Sequence, residues 1–263
     1  MRYLKLPRAR CVLLLVLTSS LLLAWFPELD LRVSSFFFRG GAFYLADRWW
    51  TTLLRECVGY SIGLGLAAVL GIHAFDKFSR RKVCRVDGKV VVYLFTVLVL
   101  GAGLVVNVAL KNQFGRARPR EVTYFGGSRV FTPAFVLSDE CDTNCSFSCG
   151  DGAGAFFSLA LALALSRRRA MLVAAAVFGA LVSLSRIASG AHFLSDTVVS
   201  FFVMWIIADV LYHYMLLPRQ ECIRPAAEDV LRPRKSRVRD AQGLREAPLY
   251  AFVNVGESTD GAP

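Results

Sequence analysis

Apolar residues fall along this chain in long runs rather than at the spacing of an amphipathic surface helix. Six runs, at 11–26, 57–75, 90–110, 153–165, 170–184 and 197–217, approach the roughly 20 residues that a helix needs to cross a bilayer. A backbone in lipid must satisfy its own polar groups, so such runs predict helices. The expected fold is all-α, a polytopic membrane protein with six transmembrane helices. The fourth and fifth runs are short and separated only by Ser166, Arg167, Arg168 and Arg169, which predicts a tight helical hairpin.

Between the first two runs, 27–52 mixes Phe36, Phe37, Phe38, Phe43, Tyr44, Trp49 and Trp50 with Arg32, Arg39 and Arg48. This pattern predicts a helix lying in the headgroup region as an aromatic belt. The stretch 218–263 is basic and has no apolar period, so it is expected to be a disordered tail loosely attracted to anionic headgroups, outside a six-span domain at 1–217. The first run ends at Leu23-Ala24-Trp25-Phe26 without a small-x-small cleavage site, and it reads as a retained anchor. Glu56 and Asp209 are acids at or in spans without a matching basic partner in the pattern, which suggests packing or hydrogen bonding rather than a translocation path.

Composition agrees with this pattern. Of 263 residues, 55% are hydrophobic and 19% charged, too apolar for a soluble domain, a coiled coil or a disordered chain. The net charge of +11 does not point to nucleic acid, because the Lys and Arg residues cluster between the apolar runs. Clusters at Arg2–Arg10, at Lys77–Lys89, in the short hairpin and in the tail share one face, which the positive-inside rule makes cytoplasmic, together with both termini.

Three polar stretches then fall on the opposite face by parity. They are Lys111-Asn-Gln-Phe-Gly-Arg116-Ala-Arg118-Pro119-Arg120, Cys145-Ser-Phe-Ser148-Cys149-Gly150-Asp151, and Ser185-Arg186 through His192 to Asp196. Lys111, Arg116, Arg118 and Arg186 concentrate where few cations are expected, and such groups bind phosphate oxygens, of a substrate or of lipid headgroups. His192 and Asp196 are four residues apart where the sixth span begins, so on a helix they share a face and the carboxylate can orient the imidazole. An imidazole so held among phosphate-binding cations can attack phosphorus and form a phosphohistidine.

These residues carry a family resemblance. Lys111 followed after six residues by Arg118-Pro119, and Ser185-Arg186 followed after five by His192 and after three more by Asp196, resemble the first and third motifs of the type 2 phosphatidic acid phosphatase (PAP2) superfamily. The resemblance implies a PAP2-like helical bundle in which Lys111, Arg118 and Arg186 bind phosphate, His192 is the nucleophile and Asp196 supports it, with no metal or other cofactor. The second motif departs from the family's Pro-Ser-Gly-His, because Ser148-Cys149-Gly150-Asp151 stands in its place. Cys149 and Gly150 are then expected at the phosphate, although a thiol is a weaker donor than a hydroxyl. Asp151 replaces the histidine that protonates the leaving group. Three readings follow: Asp151 is an acid whose environment favours its protonated form, the leaving group needs little help, or the enzyme is impaired.

Gly115 to Arg120, Phe125-Gly126-Gly127, Phe131-Thr132-Pro133-Ala134 and Asn144-Cys145-Ser146-Phe147 are further similar to a bacterial branch that includes lipid A phosphatases. That likeness implies a phosphorylated lipid substrate, best lipid A phosphate, with undecaprenyl pyrophosphate and phosphatidylglycerophosphate as alternatives. It also implies a site on the periplasmic face of a Gram-negative inner membrane. A vanadium haloperoxidase is disfavoured by six spans. A non-catalytic lipid-phosphate binder or transporter is the rival from another class, and no protein partner is indicated.

Seven cysteines complete the inventory. Cys11, Cys57, Cys84 and Cys222 lie in spans or on the cytoplasmic side, where thiols stay reduced. Cys141, Cys145 and Cys149 share the outer loop, and Cys141 with Cys145 is the expected disulfide in an oxidising compartment. Cys149 lacks the arginine six residues later that a cysteine phosphatase needs, since Ala155 stands there, and Gly150, Gly152 and Gly154 lack the Lys-Ser/Thr of a nucleotide-binding loop. His73 and His213 are remote from His192 in the chain, so no zinc site is expected.

Overall fold

A computed structural model describes residues 6–79, 86–166 and 168–217, with side chains from Val12. The expected tail at 218–263 and much of the basic clusters lie outside the described residues. Each of the six apolar runs forms a helix. The order is α1 (Leu6–Trp25), α2 (Glu28–Ser35), a hairpin of β1 (Phe38–Arg39) and β2 (Ala42–Phe43), α3 (Trp49–Phe78), and α4 (Gly88–Val97). A π-helical stretch (Leu98–Leu110) then leads into α5 (Lys111–Gln113), and α6 (Gly150–Leu165), α7 (Arg169–Ala188) and α8 (Leu194–Met215) follow.

Length separates these helices. Four are long and apolar enough to cross a membrane: Trp49–Phe78, Gly88–Gln113, Arg169–Ala188 and Leu194–Met215. Val12–Trp25 with Glu28–Ser35 makes a fifth if that pair, bent by 81°, counts as one span. Pro27 stands at the bend, where its missing N–H cannot continue the helix and its ring disfavours helical backbone in the residue before it. The six spans expected from the pattern are therefore not all met by length, because Gly150–Leu165 has only 16 residues. At about 1.5 Å per residue such a helix is shorter than a hydrocarbon core of about 30 Å.

The short helix is the centre of the bundle. α6 is buried along most of its length and packs on α3, α7, α8 and the π-helical stretch. Its small residues allow this. A side chain at Gly154 would meet Val58 Cγ1 at 2.7 Å, and the Phe156 ring occupies the space a side chain on Gly179 of α7 would need. Leucine, valine and aromatic side chains of the outer helices, such as Leu14, Leu64, Phe95 and Val173, remain exposed and form the surface that faces lipid in a membrane protein.

The aromatic segment differs from the expected interfacial helix. Only α2 is helical before Trp49, and Gly40 and Gly41, with φ of 60° and 84°, turn the chain in a two-residue hairpin that pairs Phe38 with Phe43. The segment folds inward as well as outward. Asp30, Ser34 and Phe43 are buried, and Phe38, Phe43 and Phe125 pack with ring centroids 5.2–5.3 Å apart. The helical pattern misled here because the aromatics serve a local core under a loop. The two span acids also have basic neighbours: Arg55 lies 4.0 Å from Glu56 and His213 3.5 Å from Asp209.

Candidate active site

Four chain segments meet at the end of the bundle where α5 ends and α6 and α8 begin. Gly115, with φ of +57°, lets the chain turn out of α5 so closely that a side chain there would collide with the Ser138 carbonyl, which only glycine permits. That turn lays Ser138 and Cys141 beside the first motif. Arg118 then donates from Nη2 to the Asn144 carbonyl at 2.7 Å, and its own N–H is held by Glu121 at 3.1 Å. Burial, joined by the nearby charges of Arg120 and Arg186, lowers the Arg118 pKa from its usual value.

The second motif opens α6. Cys149 is the N-cap, fully buried, and its sulfur accepts from the Gly152 N–H at 3.2 Å. The α6 N-terminus is therefore next to Lys111, because a side chain on Gly150 would come within 3.7 Å of Lys111 Nζ and 2.8 Å of Asn107 Oδ1. Lys111 also lies within electrostatic reach of Arg118, Cys149, Asp151 and Arg186. A helix N-terminus with free N–H groups among cations is suited to a phosphoryl group.

The third motif lies across the end of α7. Arg186 Nε is 3.0 Å from Asp151 Oδ2, a contact of opposite charges without the alignment of a hydrogen bond. The Arg186 carbonyl accepts from the N–H groups of Ala191 and His192, at 3.0 and 3.3 Å, so the two candidate residues share one tight turn. Gly190 in that turn has φ of +66°, and the Phe43 ring covers the space its side chain would take.

His192 itself is buried and precedes α8 rather than lying on it. This corrects the expected shared helix face. Asp196 is the third residue of α8 and accepts from the Phe193 N–H at 2.8 Å, capping the helix, while its Oδ2 stands 3.7 Å from His192 Nδ1. The nearer partner of Nδ1 is the Ser146 carbonyl, at 2.7 Å. A carbonyl only accepts, so Nδ1 carries the hydrogen and a neutral ring keeps its lone pair on Nε2. Burial acts to lower the imidazole pKa, but the Cys149 sulfur and the Asp196 carboxylate beside it outweigh burial and raise it to about 9.

Arg116 has a different role from the phosphate-binding one its position suggests. It is almost fully buried, and its donors are already engaged: Nη1 on Asp196 Oδ1 at 2.7 Å and on Ser195 Oγ at 2.8 Å, Nη2 on Asp30 Oδ2 at 2.8 Å, and Nε on the Thr132 carbonyl at 2.8 Å. Its guanidinium also stacks over Phe193, 4.2 Å from the ring centroid. Sequence reasoning did not single out Asp30, Ser146 or Ser195. A backbone carbonyl carries no signature in sequence, and Asp30 lay within a stretch read as interfacial. A polar residue just after Pro27 in an aromatic segment was the only available hint.

The remaining candidates are placed as follows. Cys141 and Cys145 are joined, with Cα atoms 5.6 Å apart, and Cys149 is free. Among the described residues no group of three or more His, Cys, Asp or Glu is arranged to hold a metal ion. His73 and His213 sit elsewhere, with Nδ1 at 2.9 Å from the Val86 carbonyl and 2.8 Å from the Asp209 carbonyl.

Comparison with known proteins adds a family to this geometry. The PAP2 superfamily model matches residues 90–219, which contain all three motifs. Over 201 residues the chain is 33% identical to the lipid A 4'-phosphatase of Francisella tularensis subsp. novicida, covering 72% of this chain and 87% of that protein. Over 121 residues it is 38% identical to the lipid A 4'-phosphatase of Rhizobium leguminosarum and 36% identical to that of Rhizobium etli, in each case 45% of this chain and 50% or 46% of the relative. No solved structure matches the chain. With a relative this similar along most of both chains, and with the motif residues gathered at one end of a bundle of apolar helices, the protein belongs to the PAP2 superfamily as a multi-pass membrane protein.

Proposed function

We propose that this protein is a lipid phosphatase that removes a phosphate monoester from lipid A by way of a phosphohistidine on His192. The observation that carries the reading is the hydrogen bond from His192 Nδ1 to the Ser146 carbonyl, which leaves Nε2 as the nucleophilic nitrogen beside Cys149. Lys111, Arg118 and Arg186, with the Gly150 N–H at the start of α6, hold the phosphoryl oxygens and stabilise the charge that spreads over them, while the Cys149 N–H is engaged by the Asp196 carbonyl at 3.3 Å. In the first step Nε2 bonds to phosphorus and the bond from phosphorus to the lipid oxygen breaks, that oxygen taking a proton from Asp151 or from water. In the second step water attacks phosphorus, the N–P bond breaks, and phosphate leaves. Asp151 also faces Arg186 at 3.0 Å, so it positions that guanidinium whether or not it supplies the proton.

The topology belongs to the same proposal. Six crossings, with α6 as a short one, put both termini and the basic clusters in the cytoplasm and the site on the periplasmic face of the inner membrane. A helix surrounded by protein does not need the full length of one bathed in lipid. Residues 1–217 form the catalytic domain, and 218–263 a cytoplasmic tail.

The test is phosphate release by detergent-purified protein from lipid A, undecaprenyl pyrophosphate, phosphatidylglycerophosphate and phosphatidic acid, beside a His192→Ala control. Lipid A is expected to be turned over and the control to be inactive. Turnover of a different lipid alone would replace the substrate, and no turnover of any of them between pH 5 and 9.5 would leave the lipid-phosphate binder as the better reading.

A further inference from the structure

We infer that Asp30, from α2, is a positioning residue for phosphoryl transfer, acting through Arg116 and Ser195 on Asp196 and thereby on His192. Asp30 lies outside the part of the chain that the family model matches. It is 1% exposed and holds both partners: Oδ2 takes the Arg116 fork at 2.8 Å and the Ser195 hydroxyl at 2.6 Å, while Oδ1 takes the Ser195 N–H at 2.8 Å. Arg116 grips Asp196 with its other nitrogen at 2.7 Å. Asp196 accepts in turn from the Ser146 hydroxyl at 2.5 Å, and the carbonyl of that same serine holds His192.

The charges alternate along this line: Asp30 negative, Arg116 positive, Asp196 negative, His192 becoming positive as it attacks. A buried guanidinium shared between two carboxylates is balanced. Deprived of Asp30, the whole guanidinium charge falls on Asp196, which then supports the imidazolium less. Two carboxylates on one arginine also fix where Asp196 sits, since the fork leaves little freedom. Besides Asp196, the group acting on His192 is Cys149 at the α6 N-cap, which also lies near Lys111 of α5 together with Arg118, Asp151 and Arg186, and the Asp30→Asn change alters none of these residues. Through Asp30, α2 is therefore tied to the residues that hold His192 rather than being an external anchor.

The inference rests on His192 as nucleophile but not on which lipid is cleaved, so the first measurement uses no substrate. The full-length protein, carrying 15N-labelled histidine in detergent, is titrated by NMR, with a His192→Gln variant to identify the signal. In Asp30→Asn the His192 titration is expected to move down by roughly half to one pH unit, a fraction of what a directly paired charge gives. In Asp30→Glu, which keeps the charge, it should stay near the wild-type value. With lipid A at about pH 9.5, where His192 is largely neutral in both proteins, kcat of Asp30→Asn should fall roughly tenfold with KM nearly unchanged, as for an interaction made chiefly in the transition state. A folded Asp30→Asn protein whose His192 titrates as in the wild type would overturn the inference and leave Asp30 a purely structural anchor. Should that variant not fold, the double variant Asp30→Asn/Arg116→Gln removes both charges together and is expected to raise the His192 titration. An unmoved titration there overturns the coupling equally.

Discussion

Replacing Gly190 with alanine tests whether the β1–β2 hairpin closes over the turn that joins Arg186 to His192. Gly190 has φ of +66°, and its new Cβ would lie within 2.7 Å of three carbons of the Phe43 ring. The left-handed backbone costs a non-glycine residue about 1–2 kcal/mol, and overpacking a fixed site costs about 1–3 kcal/mol. Phe43 is poorly placed to retreat, because it is buried between Phe38 and Phe125. The loss is therefore about 2–5 kcal/mol, against a typical total stability of about 5–15 kcal/mol. Activity should fall as well, since the Gly190 carbonyl accepts from the Arg120 N–H and the following N–H groups of Ala191 and His192 are held by the Arg186 carbonyl. The assay is thermal unfolding and phosphate release in detergent for Gly190→Ala, Phe43→Ala and the double variant. The double variant should be more stable than the two single losses together imply, by about the 1–3 kcal/mol of relieved crowding, with the backbone cost and the loss of the Phe43 ring remaining. Additivity to within about 0.5 kcal/mol would refute the placement of Phe43 on the turn.

Two further outcomes follow from the site. His192 is raised from its usual value to about 9, so the stability it contributes is full below about pH 6.5 and is lost as pH rises through 9, while the neutral nucleophile increases over that range. The unfolding temperature of the wild type should decline between pH 6.5 and 9 more than that of His192→Gln, and kcat/KM should climb towards pH 9, with Cys149→Ser moving that limb to lower pH; a flat profile in both measurements would contradict the assigned surroundings of His192. Reduction of the Cys141–Cys145 disulfide, or its replacement by two serines, should lower turnover roughly ten- to hundredfold, because that loop supplies the carbonyls of Asn144 to Arg118 and of Ser146 to His192. Full activity under reductant would show that the loop holds its shape without the bond.

Much of the bundle was legible in the chain itself, because lipid imposes a local rule: each backbone group must bond within its own segment, so an apolar run becomes a helix wherever it is put. The spacing of Lys111, Arg118, Arg186 and His192 likewise pointed to phosphate chemistry, and those residues do gather at one end of the helices. The ends of the elements were less legible, as with α3, which begins at Trp49 rather than at 57, and with α6, whose brevity matters only once its neighbours bury it. The fate of individual polar groups depended on the folded chain. Arg116 and Arg118 are the same residue type two positions apart, yet one is engaged by the carboxylates of Asp30 and Asp196 and the other by the Asn144 carbonyl, near Lys111 and Arg186. Asp30 reaches Arg116 across 86 positions of sequence, and His192 is oriented by a serine carbonyl that any residue could have supplied. Helix formation in lipid is decided within a few turns of chain, whereas a buried charge is stable only where distant segments bring its partners to it, and only tertiary structure shows which segments those are.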